Sequence, residues 1–343
     1  MKLSMPIDYS GNPRETADAV AALEGAGLDT AWVAEAYGFD SPTLMGYLAA
    51  KTSTLQIGSG ILNIYSRTPT ALGQTAAGLD SVSDGRAILG LGASGPQVIE
   101  GFHGVPYRKP LARMRETVEV VRAVLRRERI EHDGVFQIPL PADQGTGLGK
   151  PLKLINTPVR PAVPIYVAAL TPKSVEATAE YADGWMPTMF APERAHLVWG
   201  DALAAGKAKR PGELAPLEVS TGGLVAIGED VKGALDLARP HLALYIGGMG
   251  ARDKNFYNDV VTQMGWGDAA RTIQDLYLDG KKAEAAAAVP VDLLEATNLV
   301  GPASYVKERI AAFAEAGVTD LMIQPAQPDA AGAVRTMREL LDS

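Results

Sequence analysis

The chain has 343 residues, 47% of them hydrophobic and 21% charged, and its 32 Lys and Arg against 40 Asp and Glu leave a formal charge of −8. The apolar content excludes disorder, and a mixed surface with no long run of one sign argues against nucleic acid as a partner. With no cysteine and only four histidines (His103, His132, His196 and His241), none at helical ligand spacing, no disulfide, thiol nucleophile or metal site is expected. The first residues, MKLSMPIDYSG, reach a proline and an aspartate too early for a signal sequence, and no apolar run is long enough to span a membrane. The expectation is a cytoplasmic protein with no membrane insertion.

In chain order, LSMPI (3–7) reads as a strand, and PRETADAVAALEGAGLDTAWVAE places a helix at 13–25, a stop at Gly27 and a strand at 29–35. LQIGSGI (55–61) is a third strand. A helix from Pro69 to Ser83 follows it and is stopped by Asp84-Gly85 before the strand RAILGLG. Residues 113–131 alternate charged and apolar residues at helical spacing, as an outer helix does. VPIYVAA (163–169) is a strand, SVEATAEYADGWMPT a helix with a stop at Gly184 and a strand from Trp185 to Thr188, and LEVSTGG (217–223) a further strand. SYVKERIAAFAEAGVTDLMIQP supplies a last copy, stopped at Gly317, with a strand at 319–324.

The strands are short and apolar on both faces, as in a parallel sheet covered by helices. About eight such units without a Ser/Gly/Pro-rich linker predict an α/β fold, a single (β/α)8 TIM barrel over residues 1–343. Two segments exceed a plain barrel, one after strand 4 (130–162, with a hairpin around His132-Asp133-Gly134) and one after strand 7 (247–300). Both are expected to hang over the C-terminal face as lid segments; an oligomer contact explains the second equally well.

Three motifs and a few single residues bear on chemistry. GLGASG (90–95) matches a dinucleotide fingerprint, but Pro96, Gly101 and Gly104 break the helix that should follow, and three βα units precede it. Two readings remain: missing side chains that leave room for a flat ring, or a tight turn. In GSGILNIYSRTP (58–69), a polar stretch holding Asn63, Ser66 and Arg67 separates the strand from Pro69, which implies irregular backbone at the barrel mouth. In VAALTPKS (167–174), Thr171 caps a helix opening at Pro172, whose free amides suit an anion such as a phosphate or serve only as an ordinary cap; Lys173 adds a screening charge. Glu35 closes strand 2 and Asp8 closes strand 1, both placed to meet a ligand in the mouth. His103, in the loop after strand 4, either faces a substrate or is simply exposed. Asp80, Asp84, Arg86 and Asp183 lie at the opposite end and read as structural.

With GSGILNIYSRTP, SDGRAILGLGASGPQVIEGFHGVPYRKPLARMRE and AEYADGWMPT in view, the chain resembles, over essentially its whole length, the bacterial luciferase-like superfamily. Within it, the sequence is similar to the branch that uses coenzyme F420, in the style of methylenetetrahydromethanopterin reductase. The resemblance implies a deazaflavin in the C-terminal mouth, with a non-prolyl cis peptide at Gly60-Ile61 behind it. Ile61, Leu62 and Asn63 would back the central ring, and Gly92, Ala93 and Ser94 would border it. The amides of Ala169, Leu170 and Thr171 would hold the tail phosphate, and Glu35 would stand beside the cofactor; Ile7, Asp8, Gly60, Ala168 and Thr188 complete the expected lining.

Two departures narrow the chemistry. The branch's sugar-phosphate and alcohol dehydrogenases carry a histidine after the strand-2 acid, where this chain has Ala36, and an acid after strand 4, where it has Gly95-Pro96-Gln97. The expectation is therefore an F420-dependent oxidoreductase that reduces a C=C or C=N bond of a small molecule rather than oxidising an alcohol. Glu35, Tyr37 and His103, with Tyr65, are the candidates for proton delivery. The rival readings are an FMN-dependent monooxygenase of the same fold and a flavin-binding protein without catalysis. A homodimer is the expected assembly.

Overall fold

The computed structural model describes residues 1–343 apart from residue 253. Eight parallel strands form the barrel: β1 Lys2–Ile7, β2 Thr30–Val33, β3 Gln56–Ser59, β4 Ala87–Gly92, β5 Ile165–Ala168, β6 Gly184–Trp185, β7 Glu218–Thr221 and β8 Asp320–Met322. Each pairs with the next in sequence, β8 returns to β1 through Lys2↔Asp320, and β3 joins β4 through Ile57↔Ala87, so the sheet closes on itself. Closure leaves no exposed edge, which is why such short strands suffice.

Helices cover the outside: α1 Pro13–Gly25, α2 Ser41–Lys51, α3 Pro69–Val82, α4 Pro110–Leu125, α5 Pro172–Tyr181, α6 Ala195–Lys209, α7 Ala303–Glu315 and α8 Ala330–Asp342. Local chemistry starts them. Asn12, Asp40, Thr68 and Thr171 each accept a first-turn amide, and a proline follows within two residues. It also stops them, because Gly27, Gly85 and Gly317 take positive φ of 96°, 79° and 92° after α1, α3 and α7.

Gly184 is different from the stop read in the sequence. It opens β6, and a Cβ there would lie 2.5 Å from the Tyr166 ring, so glycine stands there to admit an aromatic side chain into the barrel. The strand is also shorter than expected, ending at Trp185. A second correction concerns Pro96. Rather than breaking a helix it starts one, Pro96–Gly101, since proline at the first helical position loses nothing.

The first insertion carries a two-stranded antiparallel hairpin, His132–Asp133 with Gln137–Ile138, docked on α4 through the Glu116 carboxylate. The second excursion is longer than 247–300. Beyond β7, Leu224–Ile227 pairs in parallel with Leu299–Gly301 and Gln324–Pro325, and the helices between begin at Val231. Among the described residues, no helix is long and apolar enough to cross a membrane.

The barrel interior is aromatic in the middle and polar at its N-terminal end. Trp32 and Tyr166 meet at 5.4 Å with Ile88 beside them, and Gly58 is a glycine because its Cβ would fall 2.2 Å from the Trp32 ring. Below them Ser4 and Ser220 donate to Asp320 at 2.9 and 2.5 Å, and burial pushes the Asp320 carboxyl above the usual carboxylate range. The structural readings at this end hold. Asp183 accepts the Ile165 amide, Asp80 pairs with Arg160, and Arg86 binds the carbonyls of Ala49, Thr52 and Leu55.

Candidate active site

The mouth at the C-terminal ends of the strands is shaped first by backbone. The Gly60-Ile61 peptide is cis, and beyond it Leu62-Asn63 runs beside Leu91-Gly92 as a short parallel extension. The glycines of β4 follow from this crossing. A Cβ on Gly90 would fall 1.8 Å from the Ser59 carbonyl oxygen, and one on Gly92 would fall 2.6 Å from Ile61 Cδ1. Ser59 Oγ bridges the amide and carbonyl of Gly90 at 2.8 Å each. The room left by the missing side chains is therefore filled by the neighbouring segment, which corrects the expectation that it directly admits a flat ring. The result is a flush wall of residues 60–63 and 90–92.

A second corner lies at the start of α5. Trp185 Nε1 donates to the Ala169 carbonyl at 2.9 Å and Trp199 Nε1 to the Leu170 carbonyl at 2.8 Å. In a trans peptide the N–H points opposite to the C=O, so holding these two carbonyls aims the amides of Leu170 and Thr171 away from the indoles. Those amides precede the positive end of α5, where an anion is stabilised. Trp185 and Trp199 were not picked out as site residues from sequence, since nothing local marks an indole as the partner of a distant carbonyl.

The polar side chains form separate groups. Glu35 is buried, and Arg67 Nη1 and Nη2 reach its two oxygens at 2.8 and 2.7 Å, with the Ser41 amide at 3.1 Å. Arg67 also donates to Asp40 at 2.5 Å, and the Glu35 hydrogen bonds hold its guanidinium above its usual range. Asp8 is exposed and caps a turn, where the amide and hydroxyl of Ser10 at 2.8 Å each hold its carboxyl below the usual range. Tyr37 is 67% exposed with its ring 6.2 Å from Phe102. Tyr65 donates to the Arg108 carbonyl at 3.0 Å, and burial pushes its hydroxyl up to about 12.

Asn63 is buried, accepting the amides of Tyr65 and Ser66 on Oδ1 at 3.1 and 2.7 Å, and its Nδ2 lies 3.3 Å from His103 Nε2. Of the remaining expected lining, Ile7 and Ala169 are buried, Ala168, Leu170, Thr171 and Thr188 half-buried, and Ser94 exposed at a φ of 55°. Arg194 ties the second insertion to this end: it donates to the Met264 carbonyl at 2.7 Å and lies 4.0 Å over the Trp266 ring.

A closed barrel whose mouth offers a backbone wall, aimed amides and few free acid–base groups is the frame of an oxidoreductase that borrows its chemistry from a bound cofactor. The comparisons agree. A model of luciferase-like monooxygenases matches residues 2–320. A Mycobacterium tuberculosis protein provisionally named a coenzyme F420-dependent oxidoreductase is 38% identical over 99% of this chain and 98% of its own. The 5,10-methylenetetrahydromethanopterin reductase of Archaeoglobus fulgidus is 26% identical over 90% of this chain and 89% of its own. The coenzyme F420-dependent tetrahydromethanopterin reductase of Methanopyrus kandleri shares the fold, with a TM-score of 0.78 at 21% identity over 98% of this chain and 96% of that one. The chain belongs to the luciferase-like monooxygenase family, and it is an enzyme.

Proposed function

We propose that this oxidoreductase binds coenzyme F420 in the C-terminal mouth and reduces a C=C or C=N bond of a small organic acceptor. The observation that carries the reading is the pairing of two features one ligand would need: the flush wall of residues 60–63 and 90–92, and the Leu170 and Thr171 amides that the two tryptophans aim outward. A flat tricyclic ring suits the wall, and a phosphodiester tail suits the amides. The 38% identity to a protein provisionally named for the same cofactor supports it.

When bound, F420 supplies or accepts a hydride at its ring carbon C5. The protein's share is placement and exclusion of water. Ile61, Leu62 and Asn63 would back the ring, Gly92, Ala93 and Ser94 would border it, and Ala168, Ala169, Leu170 and Thr171 would line the tail. Ile7, Asp8, Gly60 and Thr188 would complete the rim. Glu35 serves by fixing Arg67 and the start of α2. Its oxygens are engaged by Arg67 and the Ser41 amide, and the next residue is Ala36, so a strong base of the kind alcohol oxidation needs is missing beside it.

Purified protein titrated separately with F420 and FMN tests the cofactor. Micromolar F420 binding, with consumption of reduced F420 by conjugated carbonyls or imines but not its formation from alcohols, is the expected result. Micromolar FMN binding without F420 binding would overturn it in favour of a flavin monooxygenase.

A further inference from the structure

The Asn63 amide has only one orientation that satisfies its surroundings. Its Oδ1 accepts two backbone amides, Tyr65 at 3.1 Å and Ser66 at 2.7 Å, so the atom facing His103 is the NH2 group. An NH2 group can only donate, and the atom it meets at 3.3 Å, His103 Nε2, must therefore be an unprotonated acceptor. A neutral imidazole that accepts on Nε2 carries its proton on Nδ1. Protonating Nε2 would set an N–H against the amide's own hydrogens. The other contact of the ring is edge-on with Phe102 at 5.2 Å, and among the described residues no protein acceptor lies on Nδ1.

His103 thus stands between the residue that would back the cofactor ring and the exposed Tyr37 and Phe102 side chains. Glu35, Tyr65 and Tyr107 are engaged, by Arg67, the Arg108 carbonyl and the Ser94 carbonyl respectively.

We propose that Asn63 holds His103 as the neutral Nδ1–H tautomer, and that this N–H is the hydrogen-bond donor to the heteroatom of the acceptor, the oxygen of a conjugated carbonyl or the nitrogen of an imine. This rests on the reading that the mouth holds reduced F420. As a hydride reaches the electrophilic carbon, the π electron pair moves to the heteroatom or along the conjugated system toward it. The growing negative charge meets the Nδ1–H, and water supplies the proton that completes the product. His103 ends the cycle as the same Nδ1–H tautomer with which it began, having polarised the substrate.

The first test needs neither cofactor nor substrate. Long-range 1H–15N NMR on histidine-labelled protein should show the neutral form of His103 as the Nδ1–H tautomer. N63D keeps an acceptor for Tyr65 and Ser66 but turns a second acceptor toward the ring, and it should switch His103 to the Nε2–H form. A wild-type His103 on the Nε2 tautomer, or one whose tautomer N63D leaves unchanged, overturns the proposal.

The second test uses a carbonyl or imine acceptor that the wild-type enzyme reduces. H103F should lose about 30-fold in kcat/KM with its F420 dissociation constant unchanged, while H103Q, which keeps an N–H donor, should recover most of it. H103F as active as wild type would overturn the donor role. If wild type binds no F420, the functional reading fails, and the NMR result still decides the tautomer.

Discussion

Arg67 grips both carboxylate oxygens of Glu35, at 2.8 and 2.7 Å, across the gap between the loops that follow β2 and β3. The pair is largely out of water, with side-chain exposures of 18% and 9%, and Asp40 at the start of α2 shares the guanidinium. One ion pair thereby ties two loops of the mouth to each other and to a helix.

Removing the cation should leave Glu35 buried and uncompensated. R67M is expected to lose about 3 kcal/mol of stability, whereas E35Q, which keeps hydrogen-bonding atoms and removes the buried charge, should lose less. Urea unfolding midpoints of the two variants check the order, and an R67M protein as stable as wild type would show the pair to be ornamental.

The tryptophan pair predicts selectivity for phosphate. W199F keeps an aromatic ring but loses part of the buried indole and the N–H that holds the Leu170 carbonyl, a hydrogen bond worth about 1 kcal/mol. Its affinity for F420 should fall about fivefold while that for a phosphate-free deazaflavin stays the same. Equal losses for both ligands would point to general damage instead.

The β4 glycines should not be equivalent. A Cβ on Gly90 meets backbone at 1.8 Å, which cannot yield, whereas one on Gly92 meets the flexible end of Ile61 at 2.6 Å. G92A is expected to lose about 1–3 kcal/mol and still fold, and G90A to lose more or fail to accumulate. Thermal unfolding of both proteins tests the ranking.

Asp320 predicts a pH dependence. Burial raises its carboxyl above the ordinary 3.8, so the native state binds this proton more tightly than the unfolded chain does. Its contribution to stability is full below about 3.8 and falls as pH rises through the native value. D320N can still accept from Ser4 and Ser220 and cannot ionise, so its stability relative to wild type should grow from pH 4.5 toward 8. A difference that is flat across that range would contradict a raised carboxyl.

Much of the frame can be read along the chain. The α1, α3 and α7 helices, the proline and cap starts of the first two and the glycine stops at Gly27, Gly85 and Gly317 are set by residues three or four apart, and short neighbouring segments report them faithfully. The count of βα units and the cis position at Gly60-Ile61 were legible as well, the second through resemblance rather than through any local signal.

Sequence by itself determined the (β/α)8 barrel, and the absence of cysteine and scarcity of histidine along the chain. Tertiary structure alone decided what those residues touch: Glu35 engaged by Arg67, Gly90 and Gly92 shaped by Ser59 and Ile61, Gly184 by Tyr166, the carbonyls of Ala169 and Leu170 held by two indoles, and His103 oriented by Asn63. The physical reason is range. Periodicity and capping are settled within one helical turn, whereas these partners meet only after the barrel has closed and fixed which strand ends lie side by side.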